Sequence, residues 1–232
     1  MQRGALEHVV AGLASDQSAG QAPGRQTCAA CAHVLGTTGA GIMFKIADRH
    51  HGSLGSSDHA AALLEDLQFT LGEGPCIDAY EAGRSVSVPD LDDAAAHRWP
   101  ALVPALIDTG IRAVFAFPLQ LGTIRLGALD LHCGQPGDLR TQQYDDARIV
   151  AEVVTHALLE LQAGTATGAL APELERAETL RIEVHQASGM VAAQLGVGVG
   201  EALVRLRAHA YAEGRPVDDV ARDVIARKLR IE

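Results

Sequence analysis

Residues 183–229 read EVHQASGMVAAQLGVGVGEALVRLRAHAYAEGRPVDDVARDVIARKL. Apolar residues recur in this stretch at spacings of three and four, which predicts amphipathic helices. Gly196 and Gly198 end the first helix, Gly214 ends the second, and Pro216 stands where the first turn of a third helix tolerates proline. Each helix alone would be marginally stable, so we expect three short helices that cover one another.

The same stretch resembles an ANTAR domain, and several spacings agree together. The residues that carry the resemblance are Ala187, Gly189, Ala202, Leu206, Arg207, Ala210, Arg215, Val220 and Ala221. Many members of that family have lysine where this chain has Ser188. The resemblance implies binding to paired stem-loops with small loops in nascent RNA, which prevents terminator formation. It therefore implies a sensor-coupled transcription antiterminator.

Candidate RNA contacts are the basic, aromatic and polar side chains of this module. RNA loops are recognised by stacking on aromatic or guanidinium planes, and phosphates by basic groups. Arg207 and Tyr211 are four residues apart and are expected to share a helix face. The full predicted set is His185, Gln186, Ser188, Arg205, Arg207, Tyr211, Arg215, Arg227 and Lys228. Basic residues in the final turns of a helix also interact favourably with the helix dipole. Arg227 and Lys228 can therefore alternatively be interpreted as solvated terminal charges.

A long helix is predicted over residues 173–195, ahead of the two shorter ones. Its apolar stripe is formed by Leu180, Val184, Ala187, Val191 and Leu195. Such a stripe on a long helix favours a coiled-coil homodimer, with the first four of these residues as the candidate contacts. Two copies of the module would match an RNA target with two loops.

The preceding region predicts an α+β domain on an antiparallel sheet with flanking helices. Alternating strands are expected around residues 42–46 and 51–57, and a hairpin joins residues 114–121 to 124–132. The segment FTLGEGPCIDAYEAGRSVSVPDL, residues 69–91, and LGALDLH, residues 126–132, resemble a GAF domain of actinobacterial regulators. This resemblance implies a sensor whose small-molecule effector is unidentified, and it assigns no cofactor.

Four segments follow from these patterns: an N-terminal helix and linker at 1–25, the GAF-like domain at 26–163, a linker with the start of the coiled-coil helix at 164–179, and the ANTAR module at 180–232. The net charge of −10 is unevenly divided. From Leu180 onward, 8 Lys and Arg face 7 Asp and Glu, which gives +1, and the remainder carries −11. The C-terminal segment is thus better suited to phosphate than the rest.

Other motifs do not predict catalysis or metal binding. GEGP, residues 72–75, lacks the remainder of a phosphate-loop pattern. Cys28 and Cys31 form a C-x-x-C motif without a second ligand pair, which favours two small buried cysteines over a metal or redox site. We find no arrangement of carboxylates, serine or histidine typical of an active site, so an enzyme is not expected.

No apolar run is long enough to span a bilayer, and no signal peptide is recognisable, which predicts a cytoplasmic protein without a membrane partner. Two alternatives remain open from the sequence. Three short helices also occur in helix-turn-helix DNA-binding regulators. The GAF-like region could instead serve a ligand-binding or dimerisation scaffold that binds no nucleic acid.

Overall fold

The computed structural model describes residues 24–46, 50–107, 109–163, 165 and 182–231. The predicted N-terminal helix, the linker from residue 166 and Leu180 lie outside this part of the chain. Helices are α1 (Arg25–Leu35), α2 (His59–Leu71), α3 (Pro75–Ala82), α4 (Asp93–Arg98), α5 (Leu102–Ile107), α6 (Thr141–Ala163), α7 (Ile182–Leu195), α8 (Val199–Ala212) and α9 (Val217–Ile225). Strands are β1 (Gly39–Ile46), β2 (His50–Ser56), β3 (Val86–Val88), β4 (Ala113–Leu121) and β5 (Ile124–Cys133).

The five strands form one sheet in the order β2-β1-β5-β4-β3, and every neighbouring pair runs antiparallel. The α+β prediction and the β4–β5 hairpin are therefore confirmed. Strands β1 and β5 lie at the centre although they are far apart in sequence. The polar residues of β5 are consequently held between two other strands.

Both faces of the sheet are covered by helices, because side chains alternate between faces along each strand. On one face, Phe115, Phe117 and Leu129 pack with α1 and α6. On the other, Val114 and Ala116 pack with the helices that follow β2, including Leu64 of α2, Cys76 of α3 and Leu102 of α5. The short helices α3, α4 and α5 were not predicted from the sequence.

The GEGP turn joins α2 to α3 and has a structural role. Gly72 ends α2 with φ +70°, and Gly74 precedes α3 with φ +141°, both in a region that favours glycine. Pro75 begins α3 in the first-turn position that tolerates proline. The Glu73 carboxylate accepts the amides of Ala101 and Leu102 at 2.8 and 2.9 Å, which caps α5.

The C-terminal helices form the expected three-helix module. Its buried core consists of Val184, Ala187, Val191, Ala192, Ala202, Leu206, Ala210, Val217, Val220, Ala221, Val224 and Ile231, joined by Phe69 from α2. Val184, Ala187 and Val191 are completely buried there. Their assignment as a dimer surface is therefore corrected, since the stripe packs against α8 and α9 of the same chain.

We expect Glu73→Ala to lower the free energy of unfolding by about 1–2 kcal/mol, because two backbone amides lose their acceptor. Chemical denaturation of the purified protein measures the change. Glu81→Ala is the matched control, since this side chain is exposed on α3. Equal stability of the two variants would contradict the capping role.

Candidate nucleic-acid interface

The exposed side of α8 carries part of the predicted RNA set. Tyr211 is 58% exposed, and Arg205 is exposed. Arg205 is paired with Glu201 at 2.8 Å, one turn earlier on the helix. His209 lies 3.3 Å from Glu213, also one turn away. The exposed surface of α8 therefore presents a ring and, in a different direction around the helix, a guanidinium whose present partner is a solvent-accessible carboxylate.

Arg207 lies on the side of α8 that faces the sensor domain, the side to which Tyr211 also belongs. Its guanidinium stands over the Phe69 ring at 5.0 Å from the ring centroid. An added Cβ at Gly72 would lie only 2.7 Å from Arg207 Nη1, so the end of α2 approaches closely. Arg207 is half-buried, whereas Tyr211 one turn later is exposed. The two residues therefore have different surroundings despite their helical spacing.

The polar residues of α7 also divide between core and surface. His185 contacts Phe69 edge-on, with ring centroids 6.3 Å apart. Gln186 is exposed, but Ser188 is completely buried and donates its hydroxyl to the Val184 carbonyl at 2.7 Å. The prediction that Ser188 contacts RNA is corrected, because the side chain satisfies a carbonyl within its own helix.

The basic residues at the end of α9 remain at the surface. Arg227, Lys228 and Arg230 are exposed, and none makes an ion pair with another described residue. Arg215 is held by Asp223 at 2.6 Å and by Glu213 at 3.2 Å, which raises the pKa of the guanidinium further. Cations thus occur at both ends of the surface formed by α8 and α9.

A cavity of about 390 Å³ separates α2 from the C-terminal module beside the Arg207 contact. Leu67 and Leu71 line it from α2, and Tyr211, Arg215 and Val217 line it from the other side. The two domains therefore touch through Phe69 and leave a mostly apolar gap next to that contact.

A buried polar cluster lies inside the sensor domain, beneath α2. Asp130 of β5 is completely buried opposite Gly41 of β1. Gln68 donates to Asp130 at 3.5 Å and accepts the Cys76 amide at 2.8 Å. The Glu65 carboxylate accepts the Ser53 and Ser56 hydroxyls. A Cβ on Gly41 would collide with both the Asp130 and Glu65 carboxyl groups, so glycine is needed where they approach.

Burial raises the pKa of Asp130 to about 7, although hydrogen bonds from the Cys76 thiol and the Gly41 amide lower it. Burial raises the pKa of Cys76 as well, and the neighbouring Asp130 adds to that effect. Burial therefore favours the neutral form of both groups.

The remaining cysteines do not assemble a metal site in the structure. Cys28 and Cys31 form no disulfide and are completely buried, and the Cys28 thiol donates to the Gly55 carbonyl at 2.9 Å. Burial raises the pKa of Cys31 to about 12. Within the described ranges, no group of three or more His, Cys, Asp or Glu side chains could hold a metal ion.

The described helices were also compared with the length and apolar character of a membrane span. None meets that test alone, and α7 with α8 meets it only as a pair bent by 106°.

Family comparisons agree with this division of the chain. The GAF domain model matches residues 24–161, which is more than half of the chain, and the ANTAR domain model matches residues 173–225. The chain belongs to the GAF–ANTAR regulators. None of the curated proteins compared with this GAF–ANTAR chain matches it.

Solved structures similar to the chain include three from bacterial proteins. The GAF domain of the Acinetobacter phosphoenolpyruvate-protein phosphotransferase is 11% identical, with a TM-score of 0.49 over 72% of this chain and 99% of its own. Free methionine-R-sulfoxide reductase from Neisseria meningitidis is 16% identical, with 0.47 over 67% and 86%. The chromophore-binding domain of an R. palustris bacteriophytochrome is 12% identical, with 0.46 over 70% and 62%.

Sequence reasoning missed Phe69 and the carboxyl cluster. Phe69 follows Gln68 directly, and Gln68 points into the sensor core, so Phe69 lies off the core-facing side of α2. The sequence feature that could have indicated this contact is a large aromatic residue outside the stripe of α2 that faces the sensor core. Glu65 and Asp130 are brought together by the packing of α2 on β1 and the pairing of β1 with β5.

We expect the free energy of unfolding to fall as pH rises from about 4 to about 7. The folded pKa of Asp130 is about 7 against an ordinary 3.8, so the folded state holds the proton more tightly, and ionisation removes up to about 4 kcal/mol. Asp58 acts in the opposite sense at lower pH. Burial raises the pKa of Asp58, but the hydrogen bond from the Ala61 amide and the nearby His132 lower it by more, so this pKa lies below the usual value.

Chemical denaturation at pH 5 and pH 7.5 tests this expectation. Asp130→Asn should flatten the dependence between these values, whereas Asp138→Asn, at an exposed aspartate, should preserve it. A wild-type stability that is level across this interval would refute the role of Asp130.

Proposed function

We propose that the chain is a signal-responsive transcription antiterminator whose ANTAR domain binds paired small-loop hairpins in nascent RNA. The observation that carries this proposal is the ANTAR match at residues 173–225, which covers the three helices of the module and the exposed Arg205 and Tyr211. The GAF domain supplies the sensor, and its small-molecule effector is of unassigned chemistry.

The chemistry of the surface supports contact with RNA loops. Tyr211 offers an exposed ring for base stacking, while Arg205 and Lys228 are exposed to phosphates. Arg205 and Arg215 are presently held by carboxylates, so RNA phosphates would replace these partners. Ion pairs at the surface are weak, so little free energy is lost when these arginines leave their carboxylates. Binding to phosphates in their place depends on the salt concentration.

We further propose that the protein acts as a homodimer in the cytoplasm, since two ANTAR modules match two loops. Val184, Ala187 and Val191 are occupied in the module core, so the second copy must be contacted elsewhere. The proposed domain boundaries remain residues 26–163 for the sensor and 180–232 for the ANTAR module, with residues 164–179 between them.

We expect Tyr211→Ala to weaken binding to a two-hairpin RNA by about tenfold, because stacking on an aromatic ring contributes roughly 1–3 kcal/mol per base. Lys228→Ala should weaken binding less and reduce the slope of log K against log salt by about one. Arg207→Ala combined with Tyr211→Ala should weaken it further. Fluorescence anisotropy over a salt series measures all three.

Arg112→Ala provides the matched control. Arg112 is an exposed sensor-domain arginine, paired with Asp90 at 3.1 Å, and far from the module in sequence. Unaltered RNA binding in the folded Tyr211 and Arg207 double variant would contradict the site. Preference for duplex DNA over hairpin RNA in competition would favour a helix-turn-helix regulator, and failure to bind either would favour a scaffold.

A further inference from the structure

The contact between the GAF and ANTAR domains uses a residue of the proposed RNA site. The Phe69 ring is 5% exposed and packs in one hydrophobic cluster with Val184, Leu206 and Val220 of the ANTAR module. The same ring contacts the Arg207 guanidinium and the His185 imidazole. One side chain of the sensor thus engages the ANTAR core and two predicted RNA contacts together.

Arg207 is half-buried in this position, which restricts the access of an RNA base or phosphate to its guanidinium. Its guanidinium is placed between the Phe69 face and the close approach of Gly72, within an interface that α2 forms with α8. A cation over an aromatic ring contributes about 0.5–2 kcal/mol, depending on how fully the pair is removed from water. RNA that uses Arg207 must therefore displace α2.

We propose that the last turn of α2 is a docking surface for the ANTAR module that competes with RNA for Arg207. This inference rests on the proposed RNA-binding function and adds its regulation. The observed affinity for RNA is the affinity of the released form multiplied by the fraction of molecules in which α8 is released, so docking lowers it.

The position of Phe69 also connects this docking surface to the sensor interior. A cavity of about 10 Å³, enough for about one water molecule, lies under α2. It is lined by Ser53, Glu65, Gln68 and Phe69 among others. Any group larger than water that entered this cavity would have to move side chains of its lining. Because Phe69 belongs both to the lining and to the ANTAR core, such a movement changes the hold on Arg207.

Phe69→Leu in the full chain tests the competition. Leucine keeps an apolar side chain in the cluster but removes the aromatic face under Arg207. We expect the Kd for a two-hairpin RNA to fall by about three- to tenfold. Tyr80→Leu is the matched control, because the Tyr80 ring receives Lys45 at 4.7 Å within the GAF domain and is outside this cluster. It should leave the Kd unchanged.

The gain must depend on Arg207. In the Arg207→Ala background, Phe69→Leu should no longer tighten RNA binding, and a double-mutant cycle measures the difference. An unchanged or higher Kd for folded Phe69→Leu, or an equal gain without Arg207, would overturn the competition while leaving RNA binding intact. Absence of hairpin binding in every variant would instead overturn the proposed function and the competition with it.

Hydrogen exchange provides a second readout that does not require substitution. Saturating two-hairpin RNA should increase amide exchange in the last turn of α2 in the wild-type protein, because its ANTAR contact is lost. A duplex DNA of equal charge that does not bind should leave the exchange unchanged. Unaltered exchange in α2 on saturation with bound RNA would contradict release of α8.

Discussion

Neighbouring residues of helix α2 pack into the interiors of two different domains, the GAF domain and the ANTAR module. Gln68 turns inward to hold Asp130 and the start of α3, and Phe69 turns outward into the ANTAR core. Successive helical residues differ by about 100° in direction, so one helix can serve both cores only along its edge. The position of the GAF domain against the ANTAR module depends on this pair of residues.

The periodicity of apolar residues was sufficient to predict the sheet hairpin and the three C-terminal helices. It could not distinguish a stripe that packs within one chain from a stripe that packs between two, because both have the same spacing. Val184, Ala187 and Val191 were therefore assigned to a dimer, although α8 and α9 cover them. The three short helices α3, α4 and α5 contain too few turns for a helical period to be recognised.

The candidate RNA site was harder to predict because its surroundings are tertiary. The polar character of Ser188 indicated a contact, but a hydroxyl can bond to its own helix, as it does here. Arg207 and Tyr211 have the spacing of one helix face, and that face looks onto α2, which lies more than 130 residues earlier. Arg207 stands over the Phe69 ring, and the exposed Tyr211 lines the cavity beside it. The same separation concealed Glu65 and Asp130, whose proximity arises from strand order rather than from a local motif.

The central place of β5 also determines when the docking surface can exist during synthesis. Strand β1 can pair with β5 only after β5 has been synthesised, so the sheet is completed only after residue 133 has been made. Long-range pairing of this kind is slow compared with helix formation. Helices α7 to α9 come later in the chain, and domains fold largely as units from the N-terminus during translation. The residues of α2 and of the whole sheet are thus synthesised before the ANTAR module that contacts them.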